Sequence, residues 1–330
     1  MSKQLCLTFN KAVFFKIAFF LISSFLITAC QVKPAHPPYA YITNQLSDNI
    51  SVIDTSTHEV INTLAVGYRP VGVALDASGN KAFISNSEGQ DVSVIDTKSM
   101  QVTKHIPIGG GPVGIATNTD GSLIYVADWY LHKISVIDSA SSQILATIPA
   151  GNSPAGIIVD SKTDRLYVAN RDDNTVMFIN LSNHRITHTI KVGKAPFGLA
   201  LSPDGTTLYI VNVQSSNVSV IDTQQAKVTK TINVGAWPYC AVVSPDGSHV
   251  YVTNQDDSTV SVIDTINPSI SHTIEVGDSP DGIDITPDGK YVYAINWGDG
   301  TVSVINTDNY VVEKVIKTGK GSRSFGKFIK

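Results

Sequence analysis

From residue 40 onward, short hydrophobic runs alternate with polar turns at a regular spacing. Residues 251–265 read YVTNQDDSTVSVIDT, and nearly the same letters occupy 209–223. The last complete unit contains four strand-length segments rich in β-branched and aromatic residues: 251–253, 260–263, 272–276 and 281–285. Turn-forming Asn, Asp, Gly and Pro separate them. No window supports a long amphipathic helix, so the pattern predicts an all-β fold with four strands per unit.

The units repeat at a constant step of 42 residues. The carboxylate or amide of the VID phrase marks this step at Asp54, Asp96, Asp138, Asn180, Asp222, Asp264 and Asn306. A proline keeps the same step from Pro70 to Pro280, so residues 40–330 hold seven units without an insertion. Units of about 40 residues with four strands are typical of propeller blades. We therefore predict a seven-bladed β-propeller with four-stranded blades.

The recurring phrases YVTN, VSVIDT, TIxVG, PxGxA and PDG, as at 251–254 and 203–205, resemble the YVTN-repeat, YncE-like propeller family. The likeness covers residues 40–330 and implies that PxGxA is the innermost strand and YVTN the second. The chain starts with a YVTN segment at Tyr41 and ends with 326–329 in the PxGxA slot. We therefore expect the C-terminal strand to complete the first blade and close the ring. Relatives include surface-layer proteins, periplasmic binding proteins and propeller domains of redox enzymes, so the resemblance selects no single activity.

The repeated residues have structural explanations. A glycine two residues after the repeated proline, such as Gly114, lies on the expected inner strand, where a side chain would meet the next blade. The glycine of each PDG turn, such as Gly247, supplies a positive φ. We predict that the VID carboxylates and amides brace the following turn rather than form a metal or acid/base site.

The N-terminus differs from the repeats. Three lysines precede the apolar run 17–27, which is too short to cross about 30 Å of hydrocarbon as a helix. The stretch LITAC, ending at Cys30, resembles the lipobox of bacterial lipoprotein signal peptides; an ordinary signal peptide cut nearby is the alternative. We predict the following organisation: signal peptide 1–29, lipidated Cys30 and tether 30–39, propeller 40–330. Gln31 resembles the outer-membrane sorting pattern, so we expect an outer-membrane lipoprotein facing the periplasm or the cell surface.

Charge and cysteines narrow the function classes. Loss of residues 1–29 removes three lysines and no acid, so 24 bases and 28 acids become 21 and 28, a net charge of −7. This balance speaks against nucleic acid as a partner. Of the three cysteines, Cys6 is removed and Cys30 is acylated, which leaves Cys240 without an intrachain disulfide partner.

Function in a repeat scaffold is expected where single copies depart from the pattern, on loops held by the rigid frame. The turn after YVTN and the turn before the proline open on one face, which we call the upper face. The predicted ligand-binding residues there are Arg69, Trp129, Arg171, Trp237, Tyr239, Asp281, Trp297 and Arg323. Trp and Arg give large contact area and directional pairing, which favours a recognition surface. The alternative is that the tryptophans wedge between blades.

We predict no catalytic residue, metal site or cofactor. The eight histidines scatter over several blades, and no C-x-x-C-H, G-x-S-x-G or P-loop motif occurs. Cys240 replaces an inner-strand glycine and is interpreted as a small buried hydrophobe, with a reactive thiol or soft-metal ligand as the alternative.

Three function hypotheses follow. The first is a monomeric, non-catalytic binding protein, held on the membrane by its lipid, that recognises an unidentified envelope protein, polymer or small ligand. The second is an enzyme, either a propeller lactonase or a quinone-cofactor or haem oxidoreductase. The third, single-stranded nucleic-acid binding, is implied by the resemblance to YncE-like members and by aromatics able to stack on bases, and the acidic balance opposes it.

Overall fold

The computed structural model describes residues 38–330, which form seven antiparallel β-sheets. The predicted signal peptide, Cys30 and nearly all of the tether lie outside the described residues. Within the described range the helical content is one 3-10 turn, Val213–Ser215. The fold is the predicted seven-bladed β-propeller.

In blades 2 to 7 the strands follow one another in chain order from the inner to the outer edge, whereas in blade 1 the C-terminal segment lies at the inner edge beside β1. Blades 1 to 4 contain β1 Tyr39–Asn44, β2 Asn49–Asp54 and β3 Glu59–Ala65; β4 Pro70–Leu75, β5 Lys81–Asn86, β6 Asp91–Asp96 and β7 Gln101–Pro107; β8 Pro112–Thr117, β9 Leu123–Asp128, β10 Lys133–Asp138 and β11 Ile144–Pro149; β12 Pro154–Asp160, β13 Arg165–Asn170, β14 Thr175–Asn180 and β15 Ile186–Lys191. Blades 5 to 7 contain β16 Pro196–Leu201, β17 Thr207–Asn212, β18 Asn217–Asp222 and β19 Lys227–Asn233; β20 Pro238–Val243, β21 His249–Asn254, β22 Thr259–Asp264 and β23 Ser269–Glu275; β24 Pro280–Ile285, β25 Tyr291–Asn296, β26 Thr301–Asn306 and β27 Val311–Lys317.

Burial depends on a strand's position in its blade. The second and third strands, such as β5 and β6, are buried along nearly their whole length because neighbouring blades cover both faces of the sheet. The outer strand is mostly exposed; in β23 only Ile274 is buried. The first strands contact one another around the axis. Continuous apolar runs in the sequence therefore mark strands covered on two faces.

Close packing around the axis explains the inner-strand glycines. A Cβ at Gly72 would lie 2.5 Å from the carbonyl oxygen of Val113 in the next blade. The Ser85 hydroxyl of the second strand donates to the same carbonyl at 2.7 Å and accepts the Gly72 N–H at 2.9 Å. Backbone and hydroxyl groups thus link adjacent blades where a larger residue would collide.

The repeated polar residues brace the turns, as predicted. Asp264 Oδ1 accepts the N–H groups of Ile266 and Asn267 at 2.7 and 2.9 Å. The Thr265 hydroxyl donates to the carbonyl of Gly247, which has a φ of 77° in the adjacent turn. Each blade repeats the phrase because each blade needs the same turn contacts.

The C-terminal segment completes blade 1, as predicted. The Tyr39 N–H donates to the Lys330 carbonyl at 2.8 Å, and the Tyr41 N–H donates to the Phe328 carbonyl at 2.9 Å. Farther up the strand, the Arg323 N–H donates to the Thr43 carbonyl at 2.9 Å. Hydrogen bonds between the two ends of the described chain therefore close the ring.

The closing segment is less regular than the other inner strands. Ser324 and Gly326 have φ values of 116° and 92°, and with this backbone deviation the Phe325 ring lies against Phe197 and Tyr239 of blades 5 and 6. There the Phe325 carbonyl accepts the Val73 N–H of blade 2 at 2.8 Å. The deviation places the Phe325 side chain in the centre of the ring.

Candidate functional site

The residue after each repeated proline, or after Ser322 in blade 1, occupies one equivalent position per blade, close to the axis on the upper-face side. Around the ring these residues are Val71, Val113, Ala155, Phe197, Tyr239, Asp281 and Arg323. Several of them, from different blades, pack in one apolar cluster around the axis. The position is apolar from blade 2 to blade 5 and becomes Tyr, Asp and Arg in blades 6, 7 and 1. Consecutive blades adjoin, so these three predicted site residues meet.

Arg323 is the centre of the polar group. Its Nε donates to Asp281 Oδ2 at 2.7 Å, its Nη1 to Gln45 Oε1 at 3.2 Å and its Nη2 to the Tyr239 hydroxyl at 3.5 Å. The guanidinium carbon also lies 4.8 Å from the centre of the Phe325 ring. The Arg323 side chain is only 18% exposed, so its charge-assisted contacts operate in a largely desolvated site.

Asp281 is completely buried, and its Oδ1 has no hydrogen-bond partner among residues 38–330. Burial raises the pKa of Asp281, and the adjacent Arg323 opposes this in part. Burial likewise raises the pKa of the Tyr239 hydroxyl to about 12. A buried carboxylate oxygen without a partner is a natural acceptor for a donor brought by a ligand or water.

Three aromatic rings close the axis beside this group. The Phe197 and Tyr239 rings have centroids 4.3 Å apart, and Phe325 lies 4.8 Å from Phe197 and 5.6 Å from Tyr239. We call these three rings, Phe197, Tyr239 and Phe325, the plug. Sequence reasoning missed Phe197, Phe325 and Gln45. Phe197 could have been found because it shares its slot with Tyr239, whereas Phe325 reaches the axis only through a backbone deviation.

Trp129 and Arg171 extend the group on the other side of the plug. The Trp129 ring centroid lies 6.2 Å from that of Phe197, and the Arg171 guanidinium carbon lies 5.8 Å from the Trp129 ring. Arg171 also pairs with Asp172 at 2.8 Å. We use the term upper-face row for the resulting chain of contacts: Arg171, Trp129, Phe197, Tyr239, Arg323 and Asp281.

The three remaining predicted residues have different relations to the row. Trp297 adjoins it, because its Nε1 donates at 3.4 Å to the same Gln45 oxygen that Arg323 contacts. Trp237 is 37% exposed in the turn before Pro238, and no hydrogen bond or ring contact within residues 38–330 joins it to the row. Arg69 lies apart, over the Tyr68 ring and 3.7 Å from Glu88. The row therefore crosses the ring centre and joins residues of blades 3 to 7 and blade 1, whereas Arg69 of blade 2 lies outside it.

Cys240 is buried beside the plug. Its backbone N–H donates to the Thr253 hydroxyl at 3.0 Å, and burial raises the pKa of its thiol well above the usual value. Such a thiol is a weak nucleophile. Across the described part of the chain, no three His, Cys, Asp or Glu side chains are placed to share a metal ion. No helix between residues 38 and 330 is long and apolar enough to cross a membrane.

Below the plug lies a cavity of about 460 Å³, which we call the axial cavity. Phe197 and Phe325 form its upper end, and residues of the lower turns, such as Thr119 and Ser161, lie at its opposite end. Its wall is the ring of inner strands, and Lys327 and Lys330 also line it. Sequence reasoning did not predict this cavity, because it assigned function to the upper face alone.

Two family models match the chain. The YNCE-like beta-propeller model matches residues 74–165 and 159–247, which together exceed half of the chain. The cytochrome D1 heme domain model matches residues 209–323. A comparison with curated proteins finds no match.

Solved structures share the architecture at low sequence identity. Hydrazine synthase of Kuenenia stuttgartiensis is 22% identical with a TM-score of 0.73, covering 81% of this chain and 92% of that one. A functionally unknown protein from Desulfotomaculum acetoxidans is 16% identical with a TM-score of 0.75, covering 87% and 99%. The dihydro-heme d1 dehydrogenase NirN, solved in complex with DHE, is 15% identical with a TM-score of 0.66, covering 88% and 67%. At these identities the likeness establishes the fold alone.

The match to the cytochrome D1 heme domain model makes it necessary to ask whether the upper-face row or the axial cavity could hold a haem. Haem iron takes His, Cys, Met or Tyr as its axial protein ligand. In the upper-face row the only such side chain is Tyr239, whose hydroxyl contacts Arg323 and whose pKa is raised to about 12. In the axial cavity the only such side chain is the buried Cys240, whose thiol pKa is also raised. Neither site offers a suitable ligand set, so the residues present do not fit a haem.

Proposed function

The chain belongs to the YNCE-like β-propeller family, and from this premise we propose that it is a non-catalytic binding protein whose upper face recognises an envelope protein, a polymer or a small ligand. The observation that carries the proposal is the upper-face row, beside which Trp237 and Trp297 lie on the same face. It contains two arginines, three aromatic side chains and a buried carboxylate oxygen without a partner. Arg and aromatic side chains dominate binding energy in protein recognition.

The equivalent positions in other blades support this assignment. The residue before the repeated proline is Trp237 in blade 6 but Ser153 and Ser279 in blades 4 and 7, and all three have φ values between 51° and 53°. The residue after the YVTN asparagine is Trp297 in blade 7 but Gln255 in blade 6. The scaffold therefore accepts small or polar residues at both positions. We therefore expect that folding does not require tryptophan at either position.

The scaffold also suits recognition energetically. Both ends of the described range, residues 38–330, pair in blade 1, so the loops of the upper face stand on a closed ring. A preorganised surface loses little conformational entropy on binding. We further propose that acylation of Cys30 anchors this ring to the outer membrane, where it faces the periplasm or the cell surface and acts as a monomer.

The test is capture of an envelope partner by the immobilised propeller and by a double variant, Trp237→Ser with Trp297→Gln. Each replacement is a residue that the chain itself uses at the same position of another blade. We expect partner capture to fall at least tenfold while the melting temperature changes by less than about 3 °C, a shift that corresponds to about 1 kcal/mol. Mass spectrometry of the captured material would identify the partner.

Ile266→Ser is the matched control. Ile266 is 82% exposed in a turn of the opposite face of blade 6, so its replacement removes exposed apolar surface away from the upper face. This control should capture the partner like the wild type. Unfolding of the double variant would favour the wedge interpretation of the tryptophans, and equal losses in variant and control would refute recognition by the upper face.

A redox function is the second candidate, and the cytochrome D1 heme domain match over residues 209–323 favours it. Its test is the visible absorption spectrum of the protein, purified from its native envelope and also mixed with haem. A haem absorption band that saturates at a fixed ratio of haem to protein would establish this candidate. It would also contradict the conclusion that the side chains of the two sites do not fit a haem. The absence of such a band in the mixed sample would remove the haem branch.

A further inference from the structure

We propose that the axial cavity is a binding site for a small amphipathic anion, with its apolar body between the inner strands and its anionic group at Lys327 and Lys330. This site lies on the lower side of the plug and shares only Phe197 with the upper-face row. Its volume of about 460 Å³ falls within the range of small-molecule pockets, roughly 300–1,000 Å³. The proposal stands or falls independently of recognition by the upper face.

The interior of the cavity suits an apolar body. Side chains of the inner strands, among them Ala116, Ile157, Leu199 and Val242, line the wall. Phe197 and Phe325 close the end toward the upper face, with their ring centroids 4.8 Å apart. Burial of the ligand's apolar surface against such a wall favours binding and offsets the entropy lost on association.

The charged side chains that line the cavity differ in how completely other groups of the protein pair with them. Asp284 is almost fully buried; its Oδ2 accepts the N–H groups of Phe328 and Ile329 at 2.9 and 2.8 Å, and its Oδ1 pairs with Lys327 Nζ at 2.7 Å. The protein itself thus satisfies this carboxylate. Lys330 Nζ, by contrast, donates to the backbone carbonyl of Asp76 at 3.1 Å and forms no ion pair within residues 38–330, although the nearby Asp76 carboxylate opposes the lowering of its pKa by burial.

Lys327 can also contribute to anion binding. Its side chain is 55% exposed although its Nζ contacts Asp284, and an ammonium group has three donors. Among the side chains that line the cavity, two ammonium groups and one internally satisfied carboxylate leave an excess of positive charge. The Asp76 carboxylate near Lys330 does not line the cavity and accepts hydrogen bonds from Ser78 and Lys81. A carboxylate, phosphate or sulfonate group fits this arrangement, whereas a cationic group does not.

Cys240 is the only thiol that lines the cavity, and its buried position beside the plug provides no activated nucleophile. The described side chains around the cavity therefore support binding without covalent chemistry.

The test uses 8-anilinonaphthalene-1-sulfonate, an apolar fluorescent molecule with one anionic group, and competition by decanoate. We expect saturable one-site binding by fluorescence titration and displacement by decanoate but not by decylamine. Lys330→Glu should weaken binding at least tenfold, because it places a negative charge next to the anion. The backbone hydrogen bonds of Lys330 with Tyr39 do not involve the side chain, so this variant should fold and close the ring.

Lys162→Glu is the matched control. Lys162 also lies on the lower side, where its Nζ contacts the Pro203 carbonyl at 3.2 Å, and it does not line the cavity. It makes the same change in net charge and should alter affinity less than twofold. Equal weakening by the two variants, displacement by decylamine as strong as by decanoate, or the absence of saturable binding would each overturn the proposal. Trp237→Ser with Trp297→Gln should leave this affinity unchanged.

Discussion

Replacement of Arg323 by methionine should destabilise the propeller strongly. The change removes the guanidinium that contacts Asp281 Oδ2 at 2.7 Å and Gln45 Oε1 at 3.2 Å, while the similar length of Met largely preserves packing against Phe325. Asp281 is completely buried and its other oxygen already lacks a partner. The variant would therefore leave a buried carboxylate without its counter-charge.

Breaking a buried ion pair on one side destabilises a protein by about 3–5 kcal/mol. At about 2–4 °C per kcal/mol for a domain of roughly this size, the melting temperature should fall by roughly 6–20 °C at pH 7. Replacement of both partners, Asp281→Leu with Arg323→Met, removes the uncompensated charge as well. Because apolar replacement of a whole buried pair is often neutral, the double variant should recover most of the loss.

The loss of stability in Arg323→Met should depend on pH. Burial already raises the pKa of Asp281 in the wild type, and removal of Arg323 raises it further because the opposing positive charge is gone. A carboxyl whose pKa is higher in the folded state stabilises the protein below its unfolded pKa of about 3.9, and this stabilisation is lost as the pH rises through the folded pKa. The difference in stability between wild type and Arg323→Met should therefore be smallest near pH 4 and grow toward pH 7.

The assay is denaturant unfolding of wild type, single variant and double variant, followed by circular dichroism at several pH values between 4 and 8. A deficit of the same size at both ends of this range would refute the buried charge as its cause. So would a double variant no more stable than Arg323→Met at pH 7.

Deletion of residues 321–330 should abolish cooperative unfolding or cause aggregation, because it removes the fully buried Phe328 and Ile329 and exposes the edge of β1; a truncated protein that melts at the wild-type temperature would show that blade 1 does not need this segment. Cys240 should resist a thiol reagent in the native protein and react fully in guanidinium chloride, because burial raises its thiol pKa. Rapid native modification would contradict that burial.

The upper-face site was predictable in part. Tyr239, Asp281 and Arg323 are each 42 residues apart, so the repeat alone makes them neighbours around the ring. Their hydrogen bonds, the inclusion of Gln45 and the connection through Phe197 to Trp129 depend on side-chain reach across the axis. The Arg69 side chain lies 3.7 Å from Glu88 and does not join the row.

The repeat pattern in the sequence is sufficient to predict the number of blades, the four strands of each, the turn braces and the closure at the C-terminus. These features follow from local preferences of the backbone and from hydrophobic runs that recur at a constant step. The positions of the plug and of the axial cavity are visible only in the tertiary structure. The deviation at Ser324 and Gly326 carries Phe325 into the axis, and what remains open below it is the axial cavity. Such a shape depends on a few dihedral angles and on contacts between distant blades, which no periodic pattern encodes.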